Sequence, residues 1–285
     1  MSTDAAIDPA LDHAYGAGQR RPHWPALLER FAAASEAVAA GPGVLRDLAY
    51  GPHPRQRLDL VPAVDARAIV VWLHPGYWQS RDRTLFRFLA PTFTALGCDA
   101  VFADYPLCPE VTVAELTEAL RALVPALVAQ SEVRHGRPLP IVAAGHSAGG
   151  HLAIELAATD WAARGLAPAP IAAVIGVSGV YDLAPLVATA LNANLRLDLA
   201  SARAASPLHR VPASACPALF AVGGAETPAF LDQSRAMAAA WGAAGHGQRL
   251  EITPGDDHFT VLTTLADPAS PLHGALAATI AGATA

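Results

Sequence analysis

Apolar residues in this chain fall into short unbroken runs separated by longer amphipathic stretches. AIVVWL (68–73), CDAVFADY (98–105), LPIVAAG (139–145), IAAVIGVSG (171–179) and CPALFAVGG (216–224) have strand length. AIVVWL has no polar alternation, which predicts a strand buried on both faces. Between these runs lie stretches of helical character: 81–97, 111–134 with a kink expected at Pro125, 148–165 and 227–245. QRLEITPG (248–255) reads as a last short strand, and the chain from about 259 onward as helical. Strand and helix in alternation predict a mostly parallel sheet with helices on both faces.

Ahead of that rhythm, residues 1 to about 15 are polar and read as loosely held. Trp24, Leu27, Leu28 and Phe31 then recur at helical spacing until GPG (41–43) ends the pattern. VLRDLAY (44–50) and QRLDLVP (56–62), joined by the turn-like GPHPR, predict an antiparallel edge hairpin. Residues 180 to about 210 have no clean strand and read as a cap-like insertion over one end of the sheet. The whole is expected to be one domain over 1–285, with an N-terminal helical segment at 1–43. In such sheets ligands bind where loops gather at the carboxyl ends of the strands.

Composition narrows the functional classes. The 285 residues are 53% hydrophobic with a net charge of -6, and no basic run exists that would suit nucleic acid. Gln19-Arg20-Arg21 reads as solvated surface. Cys98, Cys108 and Cys216 are odd in number and far apart, which argues against a disulfide framework or a zinc site. The first residues lack the basic-then-apolar order of a secretion signal, and no run of 18 apolar residues predicts a membrane span. A cytoplasmic enzyme is the expectation. The residues leave the oligomeric state open between monomer and homodimer.

GHSAGG (145–150) follows the strand LPIVAA and fits G-x-S-x-G, a sharp strand-to-helix turn that exposes a serine hydroxyl. Ser147 is the candidate nucleophile, with the dipole of the following helix behind it. A serine needs a positioned base, expected downstream and after an acid. Of His151, His209, His246, His258 and His273, His258 in PGDDHF follows the last strand on the loop-bearing side. His246 lies at the opposite end of that strand, and His151 reads as a packing residue. The expected acid is Glu226, delivered by GGAE after CPALFAV. Asp256, Asp257 and Asp182 remain alternatives.

HPGYW (74–78) follows AIVVWL and has the look of an oxyanion loop, yet Pro75 has no N–H to donate. Gly76, Tyr77 and Ala148 are left as the expected backbone donors. His74, Tyr77, Trp78 and His146 are expected around the substrate, with core packing as the competing reading for Tyr77 and Trp78.

These motifs, together with DYPLCP (104–109), SGVYDL (178–183), GGAETPAFLDQS (223–234) and LDHAYG (11–16), resemble the α/β-hydrolase superfamily. More narrowly they resemble the arylformamidase (kynurenine formamidase)-like serine hydrolases. The resemblance spans nearly the whole chain. It implies an eight-stranded, mostly parallel sheet and a Ser147–His258–Glu226 triad that needs no metal or organic cofactor. The implied substrate is a small acyl amide, N-formyl-L-kynurenine, cleaved to kynurenine and formate. The family's usual HGGYW departs to HPGYW here. A carboxylesterase of short-chain or aryl esters would use the same machinery, and a non-catalytic binding protein on the same scaffold would lack one of the three groups.

Overall fold

A computed structural model describes residues 6–166, 169–212 and 216–284. Eight strands form one sheet: β1 (Leu45–Ala49), β2 (Arg57–Val61), β3 (Ala68–Leu73), β4 (Cys98–Ala103), β5 (Ile141–His146), β6 (Ile171–Val177), β7 (Ala218–Gly223) and β8 (Gln248–Thr253). The helices are α1 (Pro9–Tyr15), α2 (Trp24–Ala39), α3 (Ala90–Ala95), α4 (Val113–Arg121), α5 (Leu123–His135), α6 (Ala148–Ala157), α7 (Asn192–Leu195), α8 (Leu199–Ala204), α9 (Pro228–Ala243), α10 (Thr260–Ala266) and α11 (Pro271–Ala283).

The strand order is β1-β2-β4-β3-β5-β6-β7-β8. β1 and β2 pair antiparallel, β2 joins β4 antiparallel, and every other pair is parallel. The expected mixed sheet with a leading hairpin is therefore present. β3 shows why its sequence lacks alternation. Ile69, Val71 and Leu73 enter the core on one face of the sheet, while Ala68, Val70 and Trp72 enter the core on the other. The chain runs from β3 out to β4, then returns to place β5 on the other side of β3. This switch point sets the ends of β3 and β5 side by side, with Leu73 in register with Gly145.

Four local expectations are corrected. Residues 9–15 are not loose: the Asp8 carboxylate accepts from the N–H of Ala10 and Leu11, and Pro9 opens a capped helix. Residues 1–5 of that stretch lie outside the described residues. The 81–97 stretch begins as a 3-10 segment (Arg83–Leu89), because Arg83 and Arg87 turn inward onto Asp59 and Asp104. The break in 111–134 falls at Ala122, between α4 and α5. Pro125 lies in the first turn of α5, where its missing N–H costs no helical bond. The helix after Ser147 stops at Ala157. The insertion consists of α7 and α8 with 3-10 turns at Ala184–Ala188 and Pro207–His209. Among the described residues, no helix is long and apolar enough to cross a membrane.

Candidate active site

Ser147 joins β5 to α6 with φ 56° and ψ −118°, a conformation a side-chain-bearing residue rarely holds. Its N–H donates to Val177 O at 2.8 Å, and its carbonyl accepts from His151 N at 3.2 Å, so both ends of the turn are tied down. The glycine at 149 is a steric demand: a Cβ there would lie 2.0 Å from Leu73 O. The close approach it permits brings α6 against the end of β3.

Glu226 lies three residues beyond β7 and His258 five beyond β8, so all the candidates gather at one end of the sheet. His258 Nδ1 is 2.7 Å from Glu226 Oε2. A carboxylate accepts only, so Nδ1 carries the proton and Nε2 presents a lone pair. Glu226 is held by three further donors: Gln19 Nε2 at 3.1 Å, Ser178 Oγ at 2.5 Å and Gly223 N at 2.9 Å. Ser147, Glu226 and His258 are 1%, 5% and 6% exposed.

Two of the alternative acids, Asp257 and Asp182, are engaged elsewhere. Asp257 accepts from Trp24 Nε1, Phe259 N and Thr260 N and faces His23 Nε2 at 2.8 Å. Burial pushes its carboxyl up, but these donors outweigh burial and hold it below the usual range. Asp182 caps the turn at Ala184 N, 3.0 Å away. His246 donates to Pro212 O at 2.7 Å, at the far end of β8.

Ser147 and His258 open onto a cavity of about 200 Å³. Its walls are Tyr15, Trp24, Tyr77 and Phe259, with Gly76, Arg20 and Arg81 also on the lining. A larger cavity of about 390 Å³, between α4 and α8, holds none of the candidate groups. Around the small cavity, the N–H groups of Gly76, Tyr77 and Ala148 have no hydrogen-bond acceptor among the described residues. Pro75 lies on the same lining and contributes no donor. Gly76 has φ 129°, and a Cβ there would lie 2.2 Å from Ser80 O. Tyr77 and Trp78 follow at φ 52° and 58°. This strained loop is clamped from several sides. Trp78 O accepts from Cys108 N, His74 O accepts from the Tyr105 hydroxyl, and the Tyr77 hydroxyl donates to Tyr15 O.

Of the expected pocket residues, only Tyr77 lines the cavity. His74, Trp78 and His146 are fully buried behind it, which corrects their placement. His74 stacks on Tyr105 with ring centres 4.3 Å apart and donates from Nδ1 to Pro75 O. Burial moves its pKa down to about 3, so it is neutral. Trp78 donates from Nε1 to His151 Nδ1 at 3.3 Å, and His151 Nε2 donates in turn to Ala205 O. His146 packs under the imidazole of His258, 4.5 Å between ring centres. Burial lowers its pKa well below the ordinary value, with the positive charge of Arg81 acting in the same direction.

Several residues of the site escape sequence reasoning. Tyr15, Gln19 and Trp24 come from the N-terminal segment, Ser178 from the end of β6 and Arg81 from the loop after β3. The Gln19-Arg20-Arg21 stretch is accordingly no plain solvated surface. Gln19 is buried against Glu226, and Arg21 Nη2 donates to Ala225 O at 2.6 Å. LDHAYG and SGVYDL carry two of these residues, but no local spacing assigns either a partner. Among the described residues, no group of three or more His, Cys, Asp or Glu is placed to hold a metal ion.

Comparison with known proteins bears on this geometry. Residues 70–262 match the family described by its α/β-hydrolase fold. A kynurenine formamidase of Salmo salar is 31% identical over 232 residues, 78% of this chain and 77% of that protein. A solved structure of a proposed thioesterase from Silicibacter superposes with a TM-score of 0.79 at 31% identity, covering 95% of this chain and 98% of that one. A propionate-bound esterase from Thermogutta terrifontis gives a TM-score of 0.60 at 26% identity, over 76% and 85% of the two chains.

Proposed function

The chain belongs to the α/β-hydrolase-fold family and is a hydrolase, and we propose that it cleaves a small acyl group from an aryl amide through a Ser147–His258–Glu226 triad. The observation that carries this reading is one cavity lined by Ser147, by His258 with Glu226 bonded behind it, and by Gly76 and Tyr77, whose N–H groups, like that of Ala148 next to Ser147, have no acceptor among the described residues. In this mechanism Ser147 Oγ attacks the acyl carbonyl while His258 Nε2 takes its proton. Glu226 holds the Nδ1–H tautomer and offsets the charge of the imidazolium. The oxyanion is met by Ala148 N–H with Gly76 N–H, and Tyr77 N–H stands next to them. His258 then protonates the departing aryl amine. The same residue activates the water that frees Ser147 and releases the acid.

An aryl formamide suits the site best. Formyl is the smallest acyl group, and the cavity is small with four aromatic walls that fit a flat leaving group. The Salmo salar relative supports N-formyl-L-kynurenine as the substrate to test first. Ester hydrolysis is the second reading, favoured by the likeness to the propionate-bound esterase.

The deciding experiment compares turnover of N-formyl-L-kynurenine with that of p-nitrophenyl acetate on purified protein. The expected result is a higher kcat/KM on the formamide. Strong ester turnover with negligible formamide turnover would sink the formamidase reading in favour of the esterase one. Ser147→Ala is expected to lower either activity by roughly 10⁶-fold and to abolish fluorophosphonate labelling. Undiminished labelling would remove Ser147 from its role.

A further inference from the structure

The mechanism leaves two arginines on the cavity without a task, Arg20 at its exposed rim and Arg81 further in. Arg81 lines it with Ser147 and His258, only partly open to solvent. No carboxylate lies within salt-bridge distance of its guanidinium among the described residues. Neighbouring Asp82 turns away to cap Thr84 N at 2.9 Å, and Glu226 is occupied by its four donors. The guanidinium carbon instead stands 5.0 Å from the centre of the Phe259 ring. Burial alone moves its pKa down, as expected of a cation without a counter-charge.

The backbone at this position is equally unusual. Arg81 has φ 69°, and its carbonyl is held by Arg55 Nη2 at 2.8 Å. Arg55 also donates from Nε to Tyr105 O, at the base of the same loop. A long, entropically costly cation is thus fixed by a strained turn beside the nucleophile. A surface arginine needs neither the strain nor the pin.

We infer that Arg81 is an anion anchor that selects substrates bearing a carboxylate on the leaving group. The planar guanidinium pairs bidentately with such a group, while the ring of the leaving group lies among Tyr77, Trp24 and Phe259. The acyl carbonyl is left facing Ser147. Arg20, exposed at the rim, adds positive potential for the approaching anion. This inference rests on the proposed use of the cavity for acyl transfer, but it does not depend on which acyl group is transferred.

The test therefore uses matched pairs in both chemistries: formanilide against a formanilide carrying a carboxylate, and phenyl acetate against a phenyl acetate carrying one. For whichever chemistry the enzyme performs, wild type should favour the charged member through a lower KM. Arg81→Gln should reduce that preference by about 10- to 100-fold, the worth of a hydrogen bond to a charged group, and Arg81→Lys should retain part of it. An equal fall on both members, leaving the preference intact, would overturn the anchor. If neither chemistry is seen with any member, it is the proposed acyl-transfer reading that fails, and binding then tests the anchor by itself. Benzoate should protect wild type from fluorophosphonate labelling, or bind it calorimetrically, more tightly than benzamide does. Equal binding of the two refutes the anchor even if Arg81→Gln does not fold.

Discussion

Position 75 is where the proposed oxyanion loop departs from the HGGYW of the family it resembles, and its neighbour decides what the departure costs. Pro75 lacks a donor, but the N–H groups of Gly76 and Tyr77, on the same cavity wall, have no acceptor among the described residues. Pro75→Gly is therefore expected to change kcat/KM by less than about tenfold, a smaller effect than the roughly 10²–10³-fold typical of a lost oxyanion donor. Gly76→Ala should reach or exceed that larger figure, because a Cβ would lie 2.2 Å from Ser80 O at a φ that suits only glycine. Steady-state kinetics on the two variants checks the pair. If Pro75→Gly proves the more damaging, the assignment of donors is wrong. The two residues also mark what a sequence can reveal at this scale. Ser147 and the loop were legible because the turn itself demands particular residues at particular spacings. His74, Trp78 and His146 were misread because nearness in sequence to a motif does not give direction. Their rings point into the layer beneath the cavity, where they hold its floor.

Among the elements, the strands and α2 were legible and the stretch ahead of α2 was not, for one physical reason. A strand buried on both faces records its environment in its own residues, as AIVVWL does. α1 and the turn after it are short and polar, and they fold because of what they touch. Gln19 binds Glu226, Thr227 donates to Ala14 O, and Gln233 Nε2 donates to the Tyr15 hydroxyl. No periodicity encodes such contacts. The segment should matter to catalysis all the same. Gln19→Ala removes one of the donors that orient Glu226, at a cost of about 1 kcal/mol. That corresponds to roughly a 3- to 10-fold fall in kcat with little change in KM. Glu226→Gln should cost more than Gln19→Ala and less than Ser147→Ala. Kinetics ranking the three variants in another order would reassign the acid or its support.

Across the whole molecule, three histidines are fully buried near the site: His74, His146 and His151. Burial depresses each of their pKa values, that of His74 to about 3 from an ordinary 6.5. Above pH 6.5 they are neutral whether folded or unfolded and impose no penalty. As pH falls from 6.5 towards 3, the unfolded chain takes up protons that the native state refuses, so stability is lost. The loss is about 1 kcal/mol per pH unit for His74, with the other two acting in the same direction. Urea unfolding at pH 7.5 and pH 5.0 should give a clearly lower stability at the acid end. Equal midpoints would mean that these rings are protonated in the native state.

The clasp between the N-terminal segment and the loops that carry Glu226 and His258 also has a consequence for folding. Gln19 meets Glu226 across 207 residues, and Trp24 meets Asp257 across 233. Closing such long loops is slow relative to pairing neighbouring strands. The contacts that hold Glu226 and Asp257 are thus expected to form after the sheet, so that a partly folded chain carries the candidate groups without their orientation.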